Sequence, residues 1–156
     1  MIGHLRQMWA RRVRGSVDDY GGSHQPSSDG PPAYDLIAPG AEWAMPDDVY
    51  DHPDWYCGFK GPLLDATMRV LRSCRGKPEA RITIYRGAPP GLHTIERGNW
   101  VSLAEGYARQ HGYSNGDPAE DWPVYAAEVA AKDVRFAGDD LMEWGYWGPA
   151  VKARTV

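Results

Sequence analysis

Apolar positions recur along this chain at two spacings, and the change from one to the other marks out its elements. From Pro62, the apolar residues Leu64, Met68 and Leu71 fall at i, i+4 and i+7, one face of a helix. Pro62 suits a first helical turn, and Arg69, Arg72 and Arg75 suit the last turns, where cations complement the carbonyl end. Gly76 and Pro78 stop the helix. The stretch "ARITIYRGAP" then changes to period two. Ile82, Ile84 and Arg86 alternate with Thr83 and Tyr85, which predicts a strand whose last inward position is an arginine, closed by Gly87 and prolines. "RGNWVSLAEGYARQHG" predicts a short strand around Trp100 and Val101, then a helix entered through a capping box from Ser102 to Glu105 and ended by Gly112. Further on, "VYAAEVAAKDVRF" predicts one long strand or two short ones, and "AGDDLMEWGYWG" a turn into a final strand.

Before Pro62 the periodicity is weaker. Ile2, Leu5, Trp9 and Val13 share a helical face with Arg6, Arg11, Arg12 and Arg14 around them. Residues 1–14 therefore read as a basic amphipathic helix or arm, suited to the core, a membrane surface or a partner. Residues 15–33, rich in Gly, Ser, Pro and Asp, bury little and read as a flexible linker, so a single packed domain is expected over 34–156. "AMPDDVYDHPDWYCGF" is broken by prolines and predicts irregular structure laid on the core. Its Asp47, Asp48, Asp51, His52 and Asp54 match no metal-loop spacing and suit turns and caps. The order helix, strand, strand, helix, strand, strand is that of a mixed α+β domain rather than a doubly wound nucleotide fold.

Composition narrows the function. A net charge of -4 over 156 residues argues against a general nucleic-acid binder, although Gly15 to Tyr56 carries no Lys or Arg and the opening segment no acid. Cys57 and Cys74 lack metal spacing and read as free thiols of a reducing compartment. No run approaches the roughly 20 apolar residues of a membrane span, and the first residues lack a secretory pattern, so a cytoplasmic setting is expected. GxGxxG after a strand, GxxxxGK[ST], GxSxG and HExxH do not occur.

Three polar residues at strand ends remain: Arg86, Ser102 and Glu143. A fixed guanidinium binds phosphate or carboxylate, a serine hydroxyl holds a sugar hydroxyl or amide, and a carboxylate beside an anomeric carbon stabilises an oxocarbenium-like transition state. Together they suit cleavage of an N-glycosidic bond in a phosphorylated nucleoside.

Arg86 in "ITIYRGAP", Ser102 in "NWVSLAEGYARQHG", the strand "VYAAEVAAKDV" and Glu143 in "LMEWGY" together resemble the Arg-Ser-Glu class of ADP-ribosyltransferase domains. The resemblance is greatest to compact phage-associated and bacterial toxin-like versions, and it covers roughly Asp47 to Gly148. It implies a split β-sandwich of two small sheets with flanking helices and NAD bound as substrate between them. It further implies Glu143, Arg86 and Ser102 as the catalytic set, and NAD contacts from Arg86, Gly87, Trp100, Ser102 and Tyr107, with Gly87 letting backbone approach the nicotinamide. ADP-ribose would pass to a macromolecular acceptor, a protein or a nucleic acid, with a protein preferred.

Leu141 departs from the pattern, standing where arginine-modifying members carry Glu or Gln, and Val101-Ser102-Leu103 lacks neighbouring Ser or Thr. Another acceptor, NAD hydrolysis as in a glycohydrolase toxin, or a non-catalytic interaction module of the same fold therefore stay open. Local roles also stand beside the functional ones. They are an ion pair of Arg86 with an acid such as Glu128, a helix cap for Ser102, helix-end electrostatics for His111, core or cleft wall for Trp100, Trp144 and Trp147, and a solvated turn for Glu143.

Overall fold

The two-residue period at "RITIYRG" becomes strand β1, Arg81–Gly87, paired antiparallel along its length with β4, Val124–Ala130, from Arg81 opposite Ala130 to Gly87 opposite Val124. The computed structural model describes residues 25–57, 60–114, 116–138 and 140–156; the basic segment 1–14 and the first part of the predicted linker lie outside them. Ile82, Ile84, Ala127 and Val129 fill one face of the β1–β4 ladder. Helix α1, Pro62–Cys74, buries Leu64, Met68 and Leu71 in the same apolar cluster. Each such side chain stabilises by about 1.5–3 kcal/mol on full burial, so the i, i+4, i+7 stripe decides where this helix lies.

Two further sheets complete the α+β arrangement. Strands β3, Trp100–Val101, and β5, Val134–Phe136, flank β6, Trp144–Tyr146, while β2, Thr94–Ile95, pairs with β7, Val151–Lys152. Strand β8, Arg154–Thr155, adds to the far edge of β4. With helix α2, Glu105–Gly112, the described residues thus form two helices and three small antiparallel sheets. No helix among them is long and apolar enough to cross a membrane.

Several expectations need correction. Three sheets stand where two were expected, because β2, β7 and β8 are two residues long and show no period. For the same reason β6 is not the final strand. "VYAAEVAAKDVRF", by contrast, takes one of its two expected forms, two strands separated by a 3₁₀ turn at Ala131–Asp133. The capping box does not form. Ser102 is still held in extended pairing with Tyr85, α2 begins only at Glu105, and the Glu105 carboxylate instead accepts from Arg109 at 2.9 Å.

The end of the predicted linker belongs to the packed body. Ala33 donates its N–H to Val134 O at 2.8 Å and Phe136 donates to Pro31 O at 2.9 Å, so this segment lies along the outer edge of β5, where prolines are tolerated. The acidic run before α1 serves local structure. Tyr56 Oη donates to Asp48, Lys60 pairs with Asp54 at 3.2 Å, and His52 stacks on Trp55 with ring centroids 4.0 Å apart.

Helix α2 rests directly on the end of β1. A Cβ added to Gly87 would lie 2.5 Å from Ala108 O and 3.4 Å from Gly112 N, so the absent side chain is the space that the helix backbone occupies. Gly87→Ala should therefore lower stability by roughly 1–3 kcal/mol, the usual cost of overpacking against atoms that cannot yield. Urea denaturation measures this, and a change below about 0.5 kcal/mol, the range of ordinary surface substitutions, would contradict the packing described.

Candidate functional site around Glu143

Strand β1 has β4 on one edge and Ser102 on the other. Tyr85 and Ser102 exchange two backbone hydrogen bonds, each 2.9 Å, which stitches the β1–β4 sheet to the chain leaving β3. In the neighbouring sheet Trp100 lies opposite Gly145 and Val101 opposite Trp144. The ladder ends there, with Ser102 following β3 and Glu143 preceding β6. Ser102, opposed to Tyr85, and Glu143 thus both adjoin the end of the β3–β6 ladder, at the seam between two sheets.

Glu143 is 7% exposed, so the solvated-turn role does not apply. Its backbone is set by the turn before β6. Met142 N donates to Asp140 Oδ1 at 2.6 Å and Glu143 N to Asp140 O at 3.1 Å. Leu141, Met142 and Trp144 are fully buried on either side, and the Trp144 indole N–H donates to Leu141 O at 2.8 Å. A carboxylate fixed so far from water requires donors. One comes from α2, whose Tyr107 hydroxyl donates to Glu143 Oε1 at 2.9 Å.

Tyr107 in turn meets His111, one helical turn along, with ring centroids 4.5 Å apart and near-perpendicular planes. Burial pushes the His111 imidazole from its ordinary 6.5 down to about 4. It is therefore neutral at pH 7 and does not supply the helix-end charge expected of it.

Ser102 is buried, and its hydroxyl donates to Ala104 O at 2.7 Å while accepting from Ala104 N at 3.0 Å. A hydroxyl has one proton and two lone pairs, so one accepting position remains for a ligand hydroxyl. Arg86 lies one residue along β1 from Tyr85, and so on the alternate face of the strand. It is half-buried, and its Nη1 donates to Trp100 O at 3.4 Å. Glu128 is exposed opposite Thr83, on the other face of β1 from Arg86, and is not placed for the ion pair considered.

The remaining candidates lie as follows. Gly87 leaves room for α2. Trp100 is half-buried opposite Gly145, and Trp144 is a core residue packed edge-on to Phe136. Trp147 is half-buried with the Arg97 guanidinium over its ring at 5.7 Å. The structure thus brings Tyr107 to Glu143 and sets Ser102 and Glu143 at the same end of the β3–β6 ladder, with the Arg86 side chain on the alternate face of β1 from Tyr85.

Sequence reasoning named Tyr107 but not its bond to the acid, and it read Asp140 as a turn residue, the role it has here. A signal for that bond existed. Tyr107, Ala108 and His111 form the buried stripe of α2, and a stripe tipped with hydroxyl and imidazole suits a polar target rather than plain core. Chemically, a buried, oriented carboxylate beside a hydroxyl acceptor can hold a polyol and face developing positive charge.

The neutral His111 has a pH consequence. Below pH 6.5 the unfolded chain takes up a proton that the native state refuses until about pH 4, so stability falls as pH drops through that window and levels off beneath it. The loss should reach roughly 3 kcal/mol. Urea denaturation from pH 7.5 to 4 should show His111→Gln with a shallower decline than wild type; parallel curves would locate the proton uptake elsewhere.

Comparison with protein-family models, with curated proteins and with solved structures found no match to this chain. Its function is therefore read from its own side chains.

Proposed function

We propose that this chain is a mono-ADP-ribosyltransferase of the Arg-Ser-Glu type, which cleaves the nicotinamide–ribose bond of NAD and passes ADP-ribose to a protein acceptor. The observation that carries this reading is the seam. At it, the end of β3 that leads into Ser102 lies beside the start of β6 and the buried Glu143, which accepts from Tyr107 at 2.9 Å; Arg86 follows Tyr85 along β1, with its side chain on the alternate face. In this reading the seam is the cleft of a split β-sandwich.

The residues present fit the substrate. NAD offers a diphosphate, ribose hydroxyls and a cationic nicotinamide ring. Arg86 suits the diphosphate as a delocalised, permanently charged donor. The remaining lone pair of Ser102 suits a ribose hydroxyl. Glu143 suits the ribose carbon that becomes positive. The N-glycosidic bond breaks with its electron pair leaving on nicotinamide, which departs neutral. The charge then shared by ribose carbon and ring oxygen faces the carboxylate, and a nucleophile of the acceptor attacks that carbon and gives up its proton.

The burial of Leu141 bears on the acceptor. Its side chain is in the core, so the position that would hold an arginine acceptor offers neither a polar group nor access. This favours an acceptor other than arginine, and it gives specific support to a second reading in which water is the nucleophile and the protein is an NAD glycohydrolase.

Incubation with labelled NAD, with and without lysate proteins, tests both. Nicotinamide should be released, and Glu143→Gln should slow release by about a hundredfold or more, as expected when a group facing transition-state charge is removed. Label retained on protein identifies transfer, and label found only in free ADP-ribose identifies hydrolysis. Equal nicotinamide release by wild type and Glu143→Gln would end both enzyme readings.

A further inference from the structure

We infer that Tyr107 is the positioning residue for Glu143, holding its carboxylate in a fixed plane for the reaction; this inference rests on the transferase or hydrolase reading above. The serine is not equipped for that task. Its single hydroxyl proton is given to Ala104 O at 2.7 Å, which leaves Ser102 able only to accept. A carboxylate cannot donate, so the observed bond to the acid comes instead from α2, where Tyr107 donates to Oε1 at 2.9 Å.

Three features suit this phenol to the role. A hydrogen bond to an ionised oxygen is stronger than one between neutral groups. The donor stands on a helix whose backbone is seated against Gly87, so its position is inherited from β1, the strand that also carries Arg86. Its ring is braced by the neutral His111, whose edge contact brings no competing charge to the acid. The two sides of the seam are thereby set together: β1 locates α2, and α2 orients the carboxylate at the start of β6.

Tyr107→Phe deletes the donor and keeps the ring contact with His111. It should lower kcat for nicotinamide release about ten- to a hundredfold while leaving KM for NAD within about twofold, as for loss of a hydrogen bond to a charged group that acts at the transition state. In a Glu143→Asp background, where the shorter side chain draws the carboxylate away from the phenol, the same substitution should cost no more than about twofold. Should the phenylalanine protein not fold, Tyr107→His retains a ring donor and should keep kcat within about tenfold of wild type.

Equal losses in both backgrounds, or a raised KM with unchanged kcat, would overturn the positioning role, the latter making Tyr107 a substrate contact. An active wild type with an equally active Tyr107→Phe would remove this inference and leave the enzyme reading intact. A wild type that releases no nicotinamide would remove both.

Discussion

Two backbone hydrogen bonds between Tyr85 and Ser102 hold together the two sheets beside the candidate site. On one side they bind β1, which is anchored to β4 and to the stripe of α1. On the other they bind β3, which pairs with β6 and so sets the backbone of Glu143. Sheets of two or three short strands are marginal alone. Joined at this bridge they share one core, and the residues at the join inherit the rigidity of both sides. The same bridge keeps Ser102 extended, which is why α2 starts two residues later than its sequence suggests and why the serine hydroxyl turns back on Ala104.

Helix α2 is the second constraint. It approaches β1 so closely that Ala108 O takes the place of a side chain on Gly87, and this closeness brings Tyr107 within reach of an acid presented by a different sheet. The local structure around the acid is conservative by comparison: an aspartate turn, two buried aliphatic neighbours and a tryptophan that closes over Leu141 O. Precision at the carboxylate thus comes from tertiary packing more than from the peptide that contains it.

Legibility in the sequence followed element length and locality. Helix α1 and strand β1 were readable because their apolar periods run for several residues and end at Pro and Gly signals. The two-residue strands were not, since one alternation cannot be told from chance. Glu143 could be singled out because a lone acid among Met142, Trp144 and Tyr146 is chemically anomalous. Its donor could not, because the hydrogen bond spans 36 positions and depends on how α2 sits on Gly87, a contact no local pattern encodes. His111 was misjudged for a related reason: its place at a helix end is visible in the sequence, whereas its burial is a property of the assembled core.

The segment carrying Pro31 and Pro32 also closes a strand edge. Strand β5 is the outer strand of the sheet that presents Glu143, and an open strand edge is a template for another chain. Here Pro31 O and the Ala33 N–H occupy that edge, and the prolines bring no N–H of their own to extend the ladder outward. Any fragment that begins after Ala33 keeps every residue of the candidate site and loses this cover, which exchanges a closed sheet for an adhesive one.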